Sequence, residues 1–218
     1  MTLTLYGHPF SSYTQKVLIA LYENATPFDF HSVWPESAHT AEWRRRWPLG
    51  KFPVLGDGVR TVAETSIIIE YLGLNHPGPV PLLPADPQAA LEVRFLDRFF
   101  DLHVMDSAQH AVDGALTGDP VKRAEGIAKA VAKLERSYAW LETALAGRDW
   151  AAGADFTMAD CAAAPALFYA DWTHPIPESL TTLRAYRARL LARPSFARAV
   201  DEAREYRPLF PLGAPDRD

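Results

Sequence analysis

Three short stretches of this chain bring together side chains able to do chemistry. The first is Gly7-His8-Pro9-Phe10-Ser11-Ser12-Tyr13-Thr14-Gln15-Lys16-Val17, with two hydroxyls where a strand pattern gives way to a helix pattern. A helix N-terminus offers free N–H groups and partial positive charge. A serine there can donate to an anion, and a thiolate is an anion whose pKa falls in that setting. Plain capping is the competing reading, since serine is a leading N-cap residue. Ser12 and Gln15 have the S-x-x-Q spacing of a capping box, which leaves Ser11 free for another task.

The second stretch is Lys51-Phe52-Pro53-Val54. A proline opening a buried strand is a rigid feature and sometimes a cis one. A peptide ligand could then pair with the Val54 backbone by strand addition; an ordinary edge-strand proline is the alternative. The third stretch is Glu64-Thr65-Ser66, ahead of an apolar helical run. A carboxylate can take an α-ammonium there, while a hydroxyl and helix amides take an α-carboxylate. Capping with acid in the first turn explains the same residues. Further along, His103, Asp106, His110 and Asp113 recur at i, i+3, i+7 and i+10. They could share a helix face and hold a metal, but a polar cleft wall or dimer groove accounts for them, and no metal is expected.

The elements that must position these groups fall into two halves. Leu3, Leu5 and Tyr6 predict a strand, Tyr13 to Glu23 a helix, and Phe28, Phe30 and Val33 a second strand. A polar helix over 38–47, a hairpin from Phe52 to Ala63 about Gly56-Asp57-Gly58, and a helix over 65–74 complete a β-α-β-α-β-β-α order. The segment Asn75 to Pro87 holds five of the chain's 18 prolines and reads as an extended linker. Beyond it, helix periods recur over 87–109, 121–145, 158–169, 180–191 and 195–205, and nothing reads as a strand. The expected domains are therefore 1–75, a linker over 76–87, and an all-helical 88–218.

Composition narrows the function classes. The chain has 218 residues, 48% hydrophobic and 22% charged, ordinary values for a globular protein with a sizeable core. Its net charge of −5 disfavours a nucleic-acid partner. The single cysteine, Cys161, excludes an internal disulfide and a CxxC pair, and is expected in the core. The opening Met1-Thr2-Leu3-Thr4-Leu5-Tyr6 is not expected to be a signal peptide, and no apolar run approaches the ~18 residues of a membrane span. A cytoplasmic protein without a membrane partner is the expectation. Arg44-Arg45-Arg46 reads as a solvated run, with an interface as the lesser reading.

Taken together, these residues resemble the cytosolic glutathione S-transferase superfamily, a thioredoxin-like α/β domain followed by a linker and an all-α domain. Serine-type members, such as the zeta and theta classes, place their serine six residues before a valine, as Ser11 stands before Val17. Ser11-Ser12-Tyr13 is similar to the zeta-type Ser-Ser-Cys, and Phe52-Pro53-Val54 to the family's cis-proline loop. Glu64-Thr65 resembles its acid-serine pair for the γ-glutamyl group. Asp155-Phe156-Thr157-Met158-Ala159-Asp160 is similar to its N-capping box and staple, a folding element in which Thr157 caps and Asp160 returns the bond.

The resemblance implies glutathione as co-substrate, bound by Ser11, Ser12, Lys51, Phe52, Pro53, Val54, Glu64, Thr65 and Ser66. Lys51 would meet the glycyl carboxylate as a flexible point charge. Ser11 would be the catalytic residue, hydrogen-bonding the thiolate rather than acting as a base. An electrophile would lie in the helical domain near Phe10, Phe100, His103, Tyr169 and Trp172, and the protein would be a homodimer. Ser11 cannot form the mixed disulfide of cysteine-type members, so thiol-transferase chemistry is not expected. Tyr13 interrupts the zeta-type triad, and Tyr6 stays as a second candidate for activating sulfur. The readings that follow are conjugation or peroxide reduction, a zeta-like glutathione-dependent isomerase, and a non-catalytic interaction module on the same fold.

Overall fold

The computed structural model describes residues 2–34 and 36–218; Met1 of the opening segment and Pro35 lie outside the described residues. Four strands, β1 (Leu3–Gly7), β2 (Phe28–Ser32), β3 (Val54–Asp57) and β4 (Arg60–Ala63), form one mixed sheet in the order β2-β1-β3-β4. β1 runs parallel to β2 and antiparallel to β3, and β3 is antiparallel to β4. Around them lie α1 (Ser12–Glu23), α2 (Thr40–Arg46) and α3 (Thr65–Asn75). Strand alternation sorts side chains between two covered faces. Leu3, Leu5 and Leu55 pack with Val17, Leu18 and Leu21 of α1, whereas Tyr6 and Val54 pack with Val33 and Trp43 on the other side.

The second half is helical: α4 (Pro87–Phe99), a π-helical segment Phe100–Met105, α5 (Asp106–Leu116), α6 (Pro120–Ala144), α7 (Met158–Thr173), α8 (Thr181–Leu191), α9 (Pro194–Ala203) and a 3-10 turn Arg204–Leu209. The fold is thus a thioredoxin-like domain followed by a helical domain. The helix expected over 87–109 is broken by the π segment, a feature that no proline or glycine announces in the sequence. The expected return strand starts at Arg60, because Gly58 has φ +57° and Val59 is turned fully outward.

α1 joins the halves. Its Val17, Leu18 and Leu21 face the sheet, while Ile19 and Ala20 enter the helical core with Val93, Leu96 and Phe100. A helix covered on both sides also buries its polar residues, here Thr14, Gln15 and Lys16. Residues 76–86 form no helix, and α4 begins at Pro87; this segment is clamped to α1 by Asn24, whose side-chain amide donates to Val80 O at 3.1 Å and accepts from Val80 N at 2.8 Å.

The capping box at α7 is present. Asp160, fully buried, accepts from Thr157 N and Ala151 N at 2.8 Å each and from Tyr186 Oη at 2.6 Å. A buried carboxylate needs such donors, since burial alone penalises its charge. Cys161 follows in the core with no exposure, and burial pushes its thiol pKa well up.

Candidate active site

At the end of β1 the chain turns without room for a side chain: a Cβ at Gly7 would stand 2.7 Å from the Thr14 side chain. His8 then folds back so that its Nδ1 accepts from Phe10 N at 3.1 Å, and burial lowers its pKa, keeping the ring neutral at pH 7. Ser11, not Ser12, is the N-cap of α1, with φ −83° and ψ 124° and its Oγ accepting from Thr14 N at 3.2 Å. Gln15 makes no capping box; its Nε2 donates to Pro9 O at 3.0 Å and Tyr169 Oη at 3.2 Å. Capping uses a lone pair of the Ser11 hydroxyl and leaves its proton free to donate.

A cavity of about 330 Å³ gathers Lys51, Phe52, Pro53, Glu64 and Thr65 with Tyr13, and is closed from the helical half by Arg98, Asp101 and Leu102. The Phe52–Pro53 peptide is cis. Glu64 has φ +68°, a region costly for a residue with a side chain, and its carboxylate makes no cap hydrogen bond to α3. Lys51 and Arg98 set against Glu64 and Asp101 give mixed charge, which suits a zwitterionic ligand. Val54 and Ser66 do not line this space. Val54 is buried with strand partners on both sides, Tyr6 and Ala63, so no open edge is left for a ligand to extend there. The Ser66 hydroxyl is engaged elsewhere: Oγ donates to Asp97 Oδ2 at 2.5 Å and accepts from Lys16 Nζ at 3.1 Å.

A second cavity, of about 280 Å³, opens beside the N-terminus of α1. Phe10, Ser11, Ser12, Tyr13 and Tyr169 line it together with Met105, Gln109, Val112 and Phe210. Tyr13 belongs to both cavities. Burial, then the carboxylates of Asp101 and Asp106, push its phenol pKa up to about 12, so it remains a hydrogen-bond donor at neutral pH. Three residues expected at an electrophile site line neither cavity. Phe100 is fully buried against Tyr186, Trp172 packs on Phe168 and Phe210, and His103 is exposed beside Phe99. The π segment changes the helix register through Phe100 and His103, which sequence spacing assumed to be regular. Tyr6 is likewise remote, buried with Val33 and Trp43 and under the Arg46 guanidinium.

Sequence reasoning missed the contributions of Arg98, Asp101, Met105 and Phe210. No local signal marks them, because they reach the site through tertiary packing of the helical half. Behind the first cavity sits an ion cluster that no sequence pattern announces. Lys16 Nζ, 1% exposed, lies 2.6 Å from Asp97 Oδ1 and 2.7 Å from Asp101 Oδ2, and Arg98 pairs with Asp101 from outside. The stripe of His103, Asp106, His110 and Asp113 does not converge. Lys133 stands against Asp106 and His110, and Asp113 accepts from Gln109 at 2.8 Å. Among the described residues no group of three or more His, Cys, Asp or Glu could hold a metal, and no helix is long and apolar enough to cross a membrane.

Comparisons with known proteins bear on this geometry. The family models described as "Glutathione S-transferase, N-terminal domain" and "Glutathione S-transferase, C-terminal domain" match residues 5–80 and 124–189. The chain is similar to a glutathione S-transferase of Pseudomonas putida, 31% identical over 72% of this chain and 70% of that one. It is 28% identical to a stringent starvation protein A homolog of Coxiella burnetii, over 92% of each chain. A solved glutathione S-transferase of Methylobacterium radiotolerans, in complex with glutathione sulfonate, superposes with a TM-score of 0.77 and 34% identity, over 92% of this chain and 95% of that one. With matching models in both halves and such identity over nearly its whole length, the chain belongs to the glutathione S-transferase superfamily.

Proposed function

We propose that this protein is a serine-type, zeta/theta-like glutathione transferase, with residues 1–75 binding glutathione, 76–87 linking, and 88–218 holding the electrophile. One observation carries the reading: Tyr13 is a shared wall of a charged cavity at Lys51, Pro53, Glu64 and Thr65 and an apolar cavity at Ser11. An extended peptide bound in the first would present its reactive end to the second. Glu64 takes the γ-glutamyl ammonium, Thr65 and the amides opening α3 take its carboxylate, and Lys51 takes the glycyl carboxylate. Phe52 and Pro53 supply the wall along the cysteinyl residue.

The sulfur then lies between Ser11 and Tyr13. A free thiol has a pKa of about 8.5, and each unit of lowering corresponds to about 1.4 kcal/mol of preference for the thiolate. The Ser11 hydroxyl and the N-terminal end of α1 provide that preference without removing the proton, which passes to solvent. The thiolate forms a C–S bond to an apolar electrophile held against Phe10, Val112 and Phe210 and expels its leaving group. With a peroxide it takes one oxygen as the O–O bond breaks, the alkoxide leaves as an alcohol after taking a proton from solvent, and a second glutathione thiol displaces water from the sulfenic acid to give the disulfide. Detoxification in the cytoplasm is the corresponding role. No metal is needed for any of these steps.

The reading includes a homodimer. Phe95 and Trp140 are exposed and meet edge to face at 5.9 Å, Phe99 lies 4.3 Å from Trp140, and Ile67, Leu91 and Leu102 are also exposed. An exposed aromatic cluster such as Phe95 with Trp140 supports a subunit interface there.

A second reading, a non-catalytic interaction module, is favoured by the Coxiella relative, whose name states no transferase activity and which matches across both domains. Calorimetric titration with reduced glutathione, beside Ser11→Ala, separates the two. Binding by both proteins, with thiolate absorbance lost only in the variant, supports the transferase. Absence of binding at millimolar glutathione leaves the interaction module. Turnover of maleylacetone would instead identify a zeta-like isomerase.

A further inference from the structure

A second charged cleft lies on the opposite side of α7. Tyr169 and Thr173 face the cavity beside Ser11, whereas Asp171, about 200° round the helix from Tyr169, lines a separate space of about 670 Å³. Three arginines, Arg184, Arg187 and Arg217, line this cleft with Asp171 and Asp218, and Ile176 adds an apolar wall. It shares no lining residue with either cavity of the candidate active site.

The charges within it do not balance. The Asp218 side chain is taken by Arg204 and Arg207. Among the described side chains lining the cleft, Asp171 is then the carboxylate left to face three guanidinium groups, in a chain whose net charge is −5. Asp171 is itself committed: Oδ1 accepts from Ile176 N at 2.8 Å, and Oδ2 accepts from Arg217. Arg187 Nη2 stands 3.2 Å from that same Oδ2. Its Nε and Nη2 are nevertheless buried without a hydrogen-bond acceptor, and the side chain is only 12% exposed. A guanidinium presents donors in a rigid fork that matches two oxygens of one oxyanion, and leaving such donors unused in a buried place is costly.

We propose that this cleft binds a small dianion, a phosphate monoester or a dicarboxylate. Its oxyanion is held by Arg187 with Arg184 and Arg217, and its carbon body lies against Ile176. Two negative charges compensate the excess that Asp171 leaves, and the oxyanion supplies the acceptors that Arg187 lacks. The site is separate from glutathione binding.

Calorimetric titration of the whole protein at low ionic strength with inorganic phosphate, adenosine monophosphate and malonate tests this. At least one of the three should bind at a single site. Arg187→Met should weaken that binding about tenfold, by loss of a charge-assisted pair of hydrogen bonds. Arg217→Gln, on a half-exposed side chain, should weaken it in the same direction and serves if Arg187→Met does not fold. Glutathione affinity should be unchanged in both. Adenosine monophosphate or phosphate as the tightest ligand identifies a phosphate ester, and malonate a dicarboxylate. Absence of heat with all three at millimolar concentration overturns the proposal. So does binding that neither variant weakens, and then Arg187 is only the ion-pair partner of Asp171.

Discussion

Tyr169 Oη accepts a hydrogen bond from Gln15 Nε2 at 3.2 Å and donates one to the Phe10 carbonyl at 3.0 Å. Gln15 Nε2 also donates to the Pro9 carbonyl at 3.0 Å. One buried phenol on α7 of the helical domain therefore fixes the loop that delivers Ser11. The Phe10 and Tyr169 rings reinforce the joint, meeting edge to face at 5.4 Å. The position of the proposed catalytic hydroxyl thus depends on how the two domains pack, and not on the thioredoxin-like half alone.

Removing that phenol should loosen the loop. Tyr169→Phe keeps the ring and leaves the partly buried Phe10 carbonyl without its donor, at a cost of about 1 kcal/mol for the lost hydrogen bond. The expected outcome is a lower melting temperature together with a reduced kcat for glutathione conjugation. A variant with a lowered melting temperature but unchanged kcat would show that the loop holds its geometry without the clamp.

Ser11 has a capping role and a proposed chemical role, and they can be separated. Ser11→Ala removes both the acceptor and the donor, so about 1 kcal/mol of stability should be lost along with activity. Ser11→Asp keeps an acceptor for Thr14 N and suits the N-terminus of α1, so stability should stay within a few tenths of a kcal/mol of the native protein. It cannot donate, and its charge repels a thiolate, so kcat/KM should fall about 100-fold. Urea unfolding beside steady-state kinetics decides. Activity that survives in Ser11→Asp would transfer the role to Tyr13.

Much of this site was legible because its chemistry is local. Lys51, Phe52, Pro53, Glu64 and Thr65 each follow from a strand entry or a helix start, and the structure gathers them in one cavity. Thr157 and Asp160 were readable for the same reason, since a capping box is a four-residue device. At α1 the cap is one residue earlier than the S-x-x-Q spacing predicts, because adjacent serines offer two registers and Gln15 is drawn away by Tyr169. Phe100, His103 and Trp172 lie away from both cavities, whereas helical spacing presumes an unbroken helix facing a known partner. A π segment and the packing of α7 on the C-terminal tail decide both matters, and neither is encoded nearby. Lys16 is the plainest case: only the burial of α1 between two domains turns an ordinary helix lysine into an internal cation.

That lysine should be among the most sensitive positions in the chain. Lys16→Met would leave Asp97 and Asp101 buried beside each other with only Arg98 to offset them, and breaking one partner of a buried ion pair costs about 3–5 kcal/mol. Since Ser66 and Asp101 hang on the same cluster, the first cavity should loosen too and glutathione should bind more weakly. A triple variant, Lys16→Met with Asp97→Leu and Asp101→Leu, replaces the charges by apolar groups of similar size. It should recover much of the stability but not the glutathione affinity. Equal loss in the single and triple variants, measured by chemical denaturation, would refute a charge-burial origin.

The acid limb of stability should trace to Glu23 at the far end of α1. Burial pushes its carboxyl pKa up, but hydrogen bonds from Arg193 at 2.8 Å and 2.5 Å and from Ser195 at 2.5 Å outweigh this and bring it below the ordinary value. A carboxylate with a depressed folded-state pKa binds fewer protons when folded than when unfolded. Its contribution is therefore complete above the unfolded pKa of about 4.3 and fades as pH falls through the lower folded value. Glu23→Gln should lower the melting temperature at pH 7, where the ion pair joining α1 to α9 is intact. The gap between variant and native protein should then narrow steadily below about pH 4.3 as the native carboxylate protonates. A gap that is the same at neutral and strongly acidic pH would mean that Glu23 stabilises the joint by packing and neutral hydrogen bonds, and that other carboxylates, such as Asp57 under His76 and Tyr71, set the acid limb.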